Sequence, residues 1–176
     1  LKYVKFIPPD LIYVGLSDQL VRGQIDKLNH TIYASKTLKF GRIYALHEDV
    51  DKDIWIGTSD GLYRKILNDS VIRIKQNISV SCITNQNDSI IWIGTLGNGI
   101  YKYLNKKLVE HLDVHSSLIS TNVSCIQFDK FYRTWIGTNR GVQIMDSFGN
   151  TSLLLNNYNY LPNEETKSIA FDSANA

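Results

Sequence analysis

The hydrophobic and polar positions between residues 43 and 76 divide into four short runs of the strand type. IYALHED (43–49) alternates, and IWIGT (54–58) is the continuous apolar run of a strand buried on both faces. GLYRKI (61–66) and VIRIKQ (71–76) alternate apolar with charged residues, as half-exposed strands do. Polar and glycine residues at 51–53, 59–61 and 67–69 separate the runs and supply turn chemistry. The pattern therefore predicts a unit of four strands joined by tight turns.

This unit recurs along the chain. DIWIGTSDGLYRKI (53–66) returns as IIWIGTLGNGIYKYL (90–104) and as RTWIGTNRGVQIM (133–145), and a degenerate copy, IYVGLSDQLVR (12–22), has Tyr13 in place of the tryptophan. Trp55 and Trp92 are 37 residues apart, and Trp92 and Trp135 are 43 apart. Each copy follows a first strand, and KSIAFDS (167–173) matches that strand without a following tryptophan. We therefore count four complete units and the opening of a fifth.

A four-stranded unit that repeats about every 40 residues is the signature of a β-propeller blade. We predict an all-β fold with four four-stranded blades over residues 1–40, 41–78, 79–120 and 121–166, and the first strand of a further blade over 167–176. The chain begins on a first strand and stops just after another one. We therefore expect a segment of a larger propeller array, with an autonomous four-blade ring as the alternative.

The recurring motif has structural roles in this interpretation. Trp55 fills the wedge between neighbouring blades and needs a partner for its indole N–H. Gly57 admits a close neighbour, Gly61 takes a positive φ in the turn, and the Thr58 hydroxyl satisfies a backbone group. The same roles extend to the equivalent residues of the other units, which are Tyr13, Gly15, Trp92, Gly94, Thr95, Gly99, Trp135, Gly137, Thr138 and Gly141.

WIGTSDGLYR, WIGTLGNGIYKY and WIGTNRGVQI, with lead-ins such as LISTNVSCI and LPNEETKSI, resemble the two-component regulator propeller repeat over essentially the whole chain. The resemblance implies seven-blade rings in the periplasmic sensor region of hybrid histidine kinases of the Bacteroidetes, where glycan fragments are frequent ligands. It implies no cofactor, and it implies contact with the membrane only through other parts of a parent protein. The first copy departs from the family pattern because it lacks the tryptophan and the threonine.

Composition and charge leave this interpretation in place. The chain has 176 residues, is 43% hydrophobic and 20% charged, and carries a net charge of +2 with 19 basic residues scattered among 17 acidic ones. A scattered charge gives no reason to expect nucleic acid as a partner. An open stack of blades exposes apolar faces, so we expect self-association.

Three stretches superficially resemble chemical motifs. EDVDKD (48–53) has the aspartate spacing of a calcium loop, but Ile54 stands where that loop needs glycine, so we predict a hairpin turn. His111 and His115 share a face only on a helix, whereas the repeat places them on a last strand or in the loop after it, so we predict no metal site. GTLGNG (94–99) lacks the lysine of a phosphate-binding loop and aligns with GTSDG of the preceding unit, so we predict no nucleotide site.

Two further features concern small residues and a loop. Cys82 and Cys125 hold equivalent positions in neighbouring units, too far apart for a disulfide, and are expected to be small buried residues. The loop LLLNNYNYLPNEE (153–165) offers Tyr158 and Tyr160 for stacking on a sugar ring and Asn157 for hydrogen bonds, with a polar connecting loop as the alternative.

We therefore predict a non-enzymatic, extracytoplasmic sensing and interaction module with an oligosaccharide as its expected ligand. A propeller enzyme such as a polysaccharide lyase is one alternative. It needs converging acid and base groups, but the four histidines, His30, His47, His111 and His115, do not recur at one repeat position. A protein-binding scaffold is the other alternative.

Overall fold

A computed structural model describes residues 3–7, 10–66 and 70–172, with the side chains of Tyr3 and Phe6 left aside. Within these ranges sixteen strands form four antiparallel sheets, each with its strands in chain order. The predicted all-β fold with four four-stranded units is confirmed. None of the helices in these ranges is long and apolar enough to cross a membrane.

The first two sheets form one compact unit, residues 1–80. Sheet 1 contains β1 (Tyr3–Ile7), β2 (Leu11–Gly15), β3 (Gln19–Asp26) and β4 (Thr31–Lys39). Sheet 2 contains β5 (Ile43–Glu48), β6 (Ile54–Thr58), β7 (Gly61–Lys65) and β8 (Val71–Gln76). The predicted turn at 67–69 lies outside the described residues. The core of this unit joins both sheets through Tyr13, Leu20, Ile43, Leu46, Ile54, Ile56 and Tyr63.

The other two sheets belong to a second compact unit, residues 81–176. Sheet 3 contains β9 (Val80–Asn85), β10 (Ile90–Thr95), β11 (Ile100–Leu104) and β12 (Lys107–Leu112). Sheet 4 contains β13 (Val123–Phe128), β14 (Thr134–Thr138), β15 (Gly141–Met145) and β16 (Thr151–Leu155). A short 3₁₀ helix, Val114–Ser116, follows β12. The core of this unit contains Trp92, Ile100, Leu112, Leu118, Val123, Ile126, Ile136 and Met145.

The burial predicted from the sequence is confirmed for β6 and β8 but is wrong for β7. The charge-alternating run GLYRKI was predicted to be half-exposed, whereas four of the five residues of β7 are buried, including Lys65. The IWIGT strand β6 is buried at every residue, whereas the outer strand β8 is exposed over its first three residues. Position in the sheet explains the difference, because β7 lies between β6 and β8 whereas β8 is the outer strand, so two runs with the same charge alternation differ in burial.

Residues 167–172 carry no strand, yet the segment that contains them packs on sheet 4 as β13 packs on sheet 3. The hydroxyl of Ser81 donates to the carbonyl of Val123 at 2.5 Å, and the hydroxyl of Ser124 donates in the same way to the carbonyl of Thr166. Phe128 contacts Trp92 edge-to-face at 5.7 Å, and Phe171 contacts Trp135 at 5.4 Å. A further blade beginning at 167, like the larger array, stays a prediction.

Candidate functional site

Each tryptophan of the repeat is hydrogen-bonded to a side chain six residues before it. The indole N–H of Trp55 donates to Asp49 Oδ2 at 2.9 Å, and that of Trp135 donates to Asp129 Oδ2 at 2.8 Å. Trp92 donates instead to Gln86 Oε1 at 3.1 Å. These bonds allow a large indole ring to lie inside without an unsatisfied donor.

The threonines close the hairpin that follows each tryptophan. Their hydroxyls donate to the carbonyl of the motif's second glycine, at 2.8 Å for Thr58, 2.7 Å for Thr95 and 2.9 Å for Thr138. The predicted positive φ is found at Gly99 (71°) and Gly141 (104°) but is wrong for Gly61. Gly61 is required for space, because a Cβ there would lie 2.6 Å from the carbonyl oxygen of Lys75 on the next strand.

The first glycine of the motif admits close contact in sheets 3 and 4. A Cβ on Gly94 would lie 2.4 Å from Cys82 Sγ, and one on Gly137 would lie 2.5 Å from Cys125 Sγ. Both cysteines are free thiols and half-buried. Burial raises the pKa of Cys82 to about 12 and also raises the pKa of Cys125, so both thiols are protonated at neutral pH.

Three hairpins share one aspartate-capped turn. Asp49, Asp129 and Asp146 each accept two backbone N–H bonds at Oδ1, from the residues two and four positions later. In the first two turns, the third residue after the aspartate has positive φ: Lys52 at 68° and Tyr132 at 61°. In the third turn this position is Gly149 at 87°. EDVDKD is therefore a hairpin turn whose Asp49 binds backbone amides and an indole.

Sheet 3 departs from this arrangement at the turn between β9 and β10. Asn87 takes over the capping and accepts bonds from the backbone N–H groups of Ser89 and Ile90 at 2.9 and 3.0 Å. Gln86, at the position of the capping aspartate, makes no turn bond of this kind and holds the indole of Trp92 with a neutral amide. Gln86 also lines a cavity beside Trp92.

The Trp92 cavity is a cleft of about 430 Å³ between sheets 3 and 4. Its neutral polar groups are those of Gln86, Ser116, Thr134 and Ser147, and its aromatic groups are those of Trp92, Tyr132 and Phe148. The volume lies within the range of small-molecule sites, about 300–1,000 Å³. Neutral hydrogen-bonding groups next to aromatic rings suit a polar ligand that has an apolar face.

The charged groups of the cavity are largely compensated. Lys102 Nζ lies 3.3 Å from Glu110 Oε2 and 5.0 Å from the centre of the Trp92 ring. His111 Nε2 lies 2.7 Å from the carbonyl oxygen of Asn98, and its ring stacks on Tyr101 at 4.2 Å. Hydrogen bonds from the Asn150 and Phe148 backbone amides hold the pKa of Asp146 below its ordinary value. The cavity therefore favours a neutral ligand over a strongly charged one.

A second cavity of about 360 Å³ lies beside Trp135, between sheet 4 and residues 170–172. Its lining includes Asp129, Arg133 and Phe131. Arg133 Nε binds Asp129 Oδ2 at 2.6 Å, and its guanidinium lies over both the Phe131 and Trp135 rings. These contacts occupy the polar groups with one another, which makes this cavity a weaker candidate.

The ligand-binding residues predicted in the loop after β16 do not lie at the Trp92 cavity. Tyr158 and Tyr160 are 89% and 70% exposed in a turn held by Asn156 and Asn159, and Asn157 is exposed beside them. None of these residues lines the Trp92 cavity. Their role in sugar binding stays a prediction.

The remaining motifs have structural explanations. His111 lies on β12, the fourth strand of its sheet, as predicted, and His115 lies in the 3₁₀ helix after it. In GTLGNG, the N–H groups of Gly97 and Gly99 donate to the carbonyl of Thr121. Over the described ranges, no group of three or more His, Cys, Asp or Glu side chains is placed to hold a metal ion.

Tyr132 and Phe148 were missed by sequence reasoning, although a signal was present. Aligning the repeats on their tryptophans places Tyr132 opposite Lys52 and Ser89, and Phe131 opposite Asp51 and Asp88. Two consecutive aromatic residues in an exposed hairpin turn, where the other repeats have polar ones, indicate a role outside the fold.

Comparisons with known proteins identify the repeat. Residues 37–60 match the family model of the two component regulator propeller, which confirms the predicted family. Over 113 residues the chain is 29% identical to histidine kinase P4 of Formosa agariphila, a match that covers 54% of the chain and 8% of the kinase. The chain thus spans a small part of this relative.

Solved structures show the same fold. The extracellular domain of the hybrid two component system BT3049 of B. thetaiotaomicron aligns with 89% of the chain at a TM-score of 0.78 and 22% identity, and 22% of that domain is covered. The extracellular domain of BT4673 of the same organism aligns with 98% at 0.76 and 16% identity, with 27% covered. PorZ, a surface component of the type-IX secretion system of Porphyromonas gingivalis, aligns with 87% at 0.64 and 14% identity, with 32% covered.

Proposed function

Because this chain carries two-component regulator propeller repeats, we propose that it is a ligand-sensing module in the extracytoplasmic, periplasmic part of a hybrid two-component sensor. The BT3049 and BT4673 domains with the same fold are extracellular domains of two-component systems, which supports this placement. We propose that the module has no catalytic role of its own and that it passes a signal to a kinase elsewhere in a parent protein.

The observation that carries the proposal is the Trp92 cavity. It combines aromatic rings, the neutral amide of Gln86, several hydroxyls and one internal ion pair. A glycan fragment has the matching chemistry, because its C–H face packs on aromatic rings while its hydroxyls bond to amides and hydroxyls. Sensing requires that the ligand bind two arrangements of the sensor with different free energies.

The experiment is a binding screen on the whole chain with neutral tetrasaccharides of glucose, xylose and mannose. A ligand present at 100 times its Kd adds about 2.7 kcal/mol to the free energy of unfolding, which raises Tm by several degrees. Cell fractionation with an antibody against this chain complements the screen, and a large membrane-bound species is expected. A soluble product no larger than this chain would contradict the sensor proposal.

A protein-binding scaffold is the second candidate function. It is favoured by β4, a nine-residue outer strand that is exposed over Thr31–Ser35, because exposed sheet edges pair with other strands. A polysaccharide lyase receives less support, because His111 is bonded to a backbone carbonyl and stacked on Tyr101. Release of an unsaturated sugar product during the screen would reopen the enzyme alternative.

A further inference from the structure

Two hairpin turns place exposed aromatic side chains at the mouth of the Trp92 cavity. Tyr132 is the αL residue of the turn between β13 and β14 and is 75% exposed. Phe148 follows Asp146 by two residues in the turn between β15 and β16 and is 88% exposed. Both line the cavity. Neither ring gains much from burial within the fold.

Tyr132 also has an unfavourable backbone conformation. The left-handed region suits glycine and tolerates asparagine, whereas a large aromatic residue is unusual there. The identical turn at Asp146 uses Gly149 at this position, and the turn at Asp49 uses Lys52. The fold therefore accepts a smaller or more polar residue here, and a tyrosine carries a cost in stability. Strain of this kind concentrates at functional sites.

The turn directs its two aromatic residues to different cavities. Phe131 lines the cavity beside Trp135 and lies under the guanidinium of Arg133 at 5.2 Å. Tyr132 lines the Trp92 cavity, where the other aromatic residue at the mouth is Phe148. Phe131 thus has a packing partner within sheet 4, and it is Tyr132 whose conformation calls for an explanation.

We propose that Tyr132, supported by Phe148, is a specificity-determining contact for the ligand of the Trp92 cavity and selects neutral ring ligands that present an apolar face. The inference rests on the proposed function, because it assigns residues to that same site. The tyrosine ring supplies the stacking surface, since Trp92 itself is only 5% exposed and lies beneath Lys102. The cavity's own amide and hydroxyl groups bind the polar edge of the ligand.

The test compares Tyr132→Asn with the wild-type chain, using the tetrasaccharide that binds the wild type most tightly. Removing a stacking ring is expected to raise Kd about tenfold. The same change relieves the αL strain and is expected to raise Tm by about 2 °C. Opposite movements of affinity and stability identify a residue retained for binding, because a purely structural residue would lose stability when replaced.

Matched variants separate the ring from the turn. Lys52→Asn makes the same αL change in the equivalent turn of sheet 2 and should raise Tm without changing Kd. Tyr132→Phe keeps the ring and should leave Kd within twofold. Phe148→Ser should weaken binding without the gain in Tm, because Phe148 is not among the positive-φ residues.

The outcomes distinguish the inference from the function on which it rests. A wild-type chain that binds a tetrasaccharide while Tyr132→Asn binds it equally well overturns the role of Tyr132 and leaves the proposed function intact. A Tyr132→Asn chain that loses both affinity and thermal stability also overturns it, because Tyr132 then supports the turn. A wild-type chain that binds none of the probes overturns glycan binding at this cavity and the inference with it.

Discussion

Asp129 connects three parts of sheet 4 through one buried carboxylate. It accepts bonds from the backbone N–H groups of Phe131 and Arg133, from the Trp135 indole and from the Arg133 side chain. Asp129→Ala leaves these donors without an acceptor, so we expect a loss of about 2–3 kcal/mol in the free energy of unfolding. Urea denaturation measures the loss. Asp146→Ala is the matched control, because that turn has the same backbone bonds and no indole, and its loss should be smaller.

The same carboxylate makes stability depend on pH. Burial works to raise the pKa of Asp129, but the hydrogen bonds outweigh it and the pKa lies below its ordinary value. A group with a lowered folded pKa stabilises the fold above its unfolded pKa, near 3.9, and this stabilisation disappears as pH falls through the folded pKa. Asp129→Asn should therefore flatten the loss of stability below about pH 4. An unchanged acid titration would contradict this assignment.

Cys82 should resist alkylation in the folded chain. Its pKa of about 12 means that almost no thiolate exists at pH 8, and the thiolate is the reactive form. We expect iodoacetamide to label Cys82 only after unfolding, as measured by mass spectrometry of the digested chain. Labelling in urea is the positive control. Rapid labelling of Cys82 under native conditions would show that the contact with Gly94 opens readily.

At the scale of the elements, the β-strands were predictable because each one has its own sequence pattern. The run Ile54–Thr58 predicts a strand buried on both faces and Val71–Gln76 predicts a half-exposed strand, and both occur. The same alternation at Gly61–Lys65 belongs to a buried inner strand, because the local pattern does not determine the position of a strand in the sheet. The reason for a glycine at position 61 was not predictable, because the lack of space for a Cβ there comes from the carbonyl oxygen of Lys75 on β8. The Trp92 cavity was not predictable either, since Gln86, Lys102 and Phe148 come from two different sheets.

The close approach of β13 and β14 leaves no space for a side chain at position 137. A Cβ at Gly137 would lie 2.5 Å from Cys125 Sγ and 2.9 Å from Thr166 Cγ2. Gly137→Ala should therefore cost about 1–3 kcal/mol through overpacking. Sheet 2 suggests Cys125→Ala as the compensating change. The pair Cys125 and Gly137 of sheet 4 corresponds to the pair Ala45 and Gly57 of sheet 2, so an alanine occupies the cysteine position there.

A double-mutant cycle tests this explanation. In a Cys125→Ala background the sulfur is absent, so the cost of Gly137→Ala should fall by about half while the contact with Thr166 remains. Thermal or urea unfolding of the four chains gives the coupling energy. Additive effects of the two changes would mean that the sulfur does not limit the fit of this strand.

At the scale of the whole molecule, we expect the edges of the sheets to control self-association. The outer strand β4 has nine residues, whereas β8, β12 and β16 have six, six and five. Its first half, Thr31–Ser35, is exposed and contains no charged residue, while β12 carries Lys107 and Glu110. Charges on edge strands oppose pairing between chains. The two lysines of β4, Lys36 and Lys39, lie in its second half, and β16 is also without charge but has only five residues, so β4 is the longest of these outer strands and has an uncharged, exposed first half.

We therefore expect chains to associate at high concentration through β4. Tyr33→Lys adds a charge to this strand and should shift the chain to the monomer, as measured by light scattering over a concentration series. Val109→Lys is the matched control, because it adds the same charge to β12 and the two side chains are similarly exposed, 53% for Val109 and 57% for Tyr33. This variant should leave the association unchanged. Equal effects of the two variants would mean that net charge, rather than pairing along β4, controls association. A wild-type chain that stays monomeric at every concentration would remove β4 as a contact between copies, and β4 would then be available for a different protein partner.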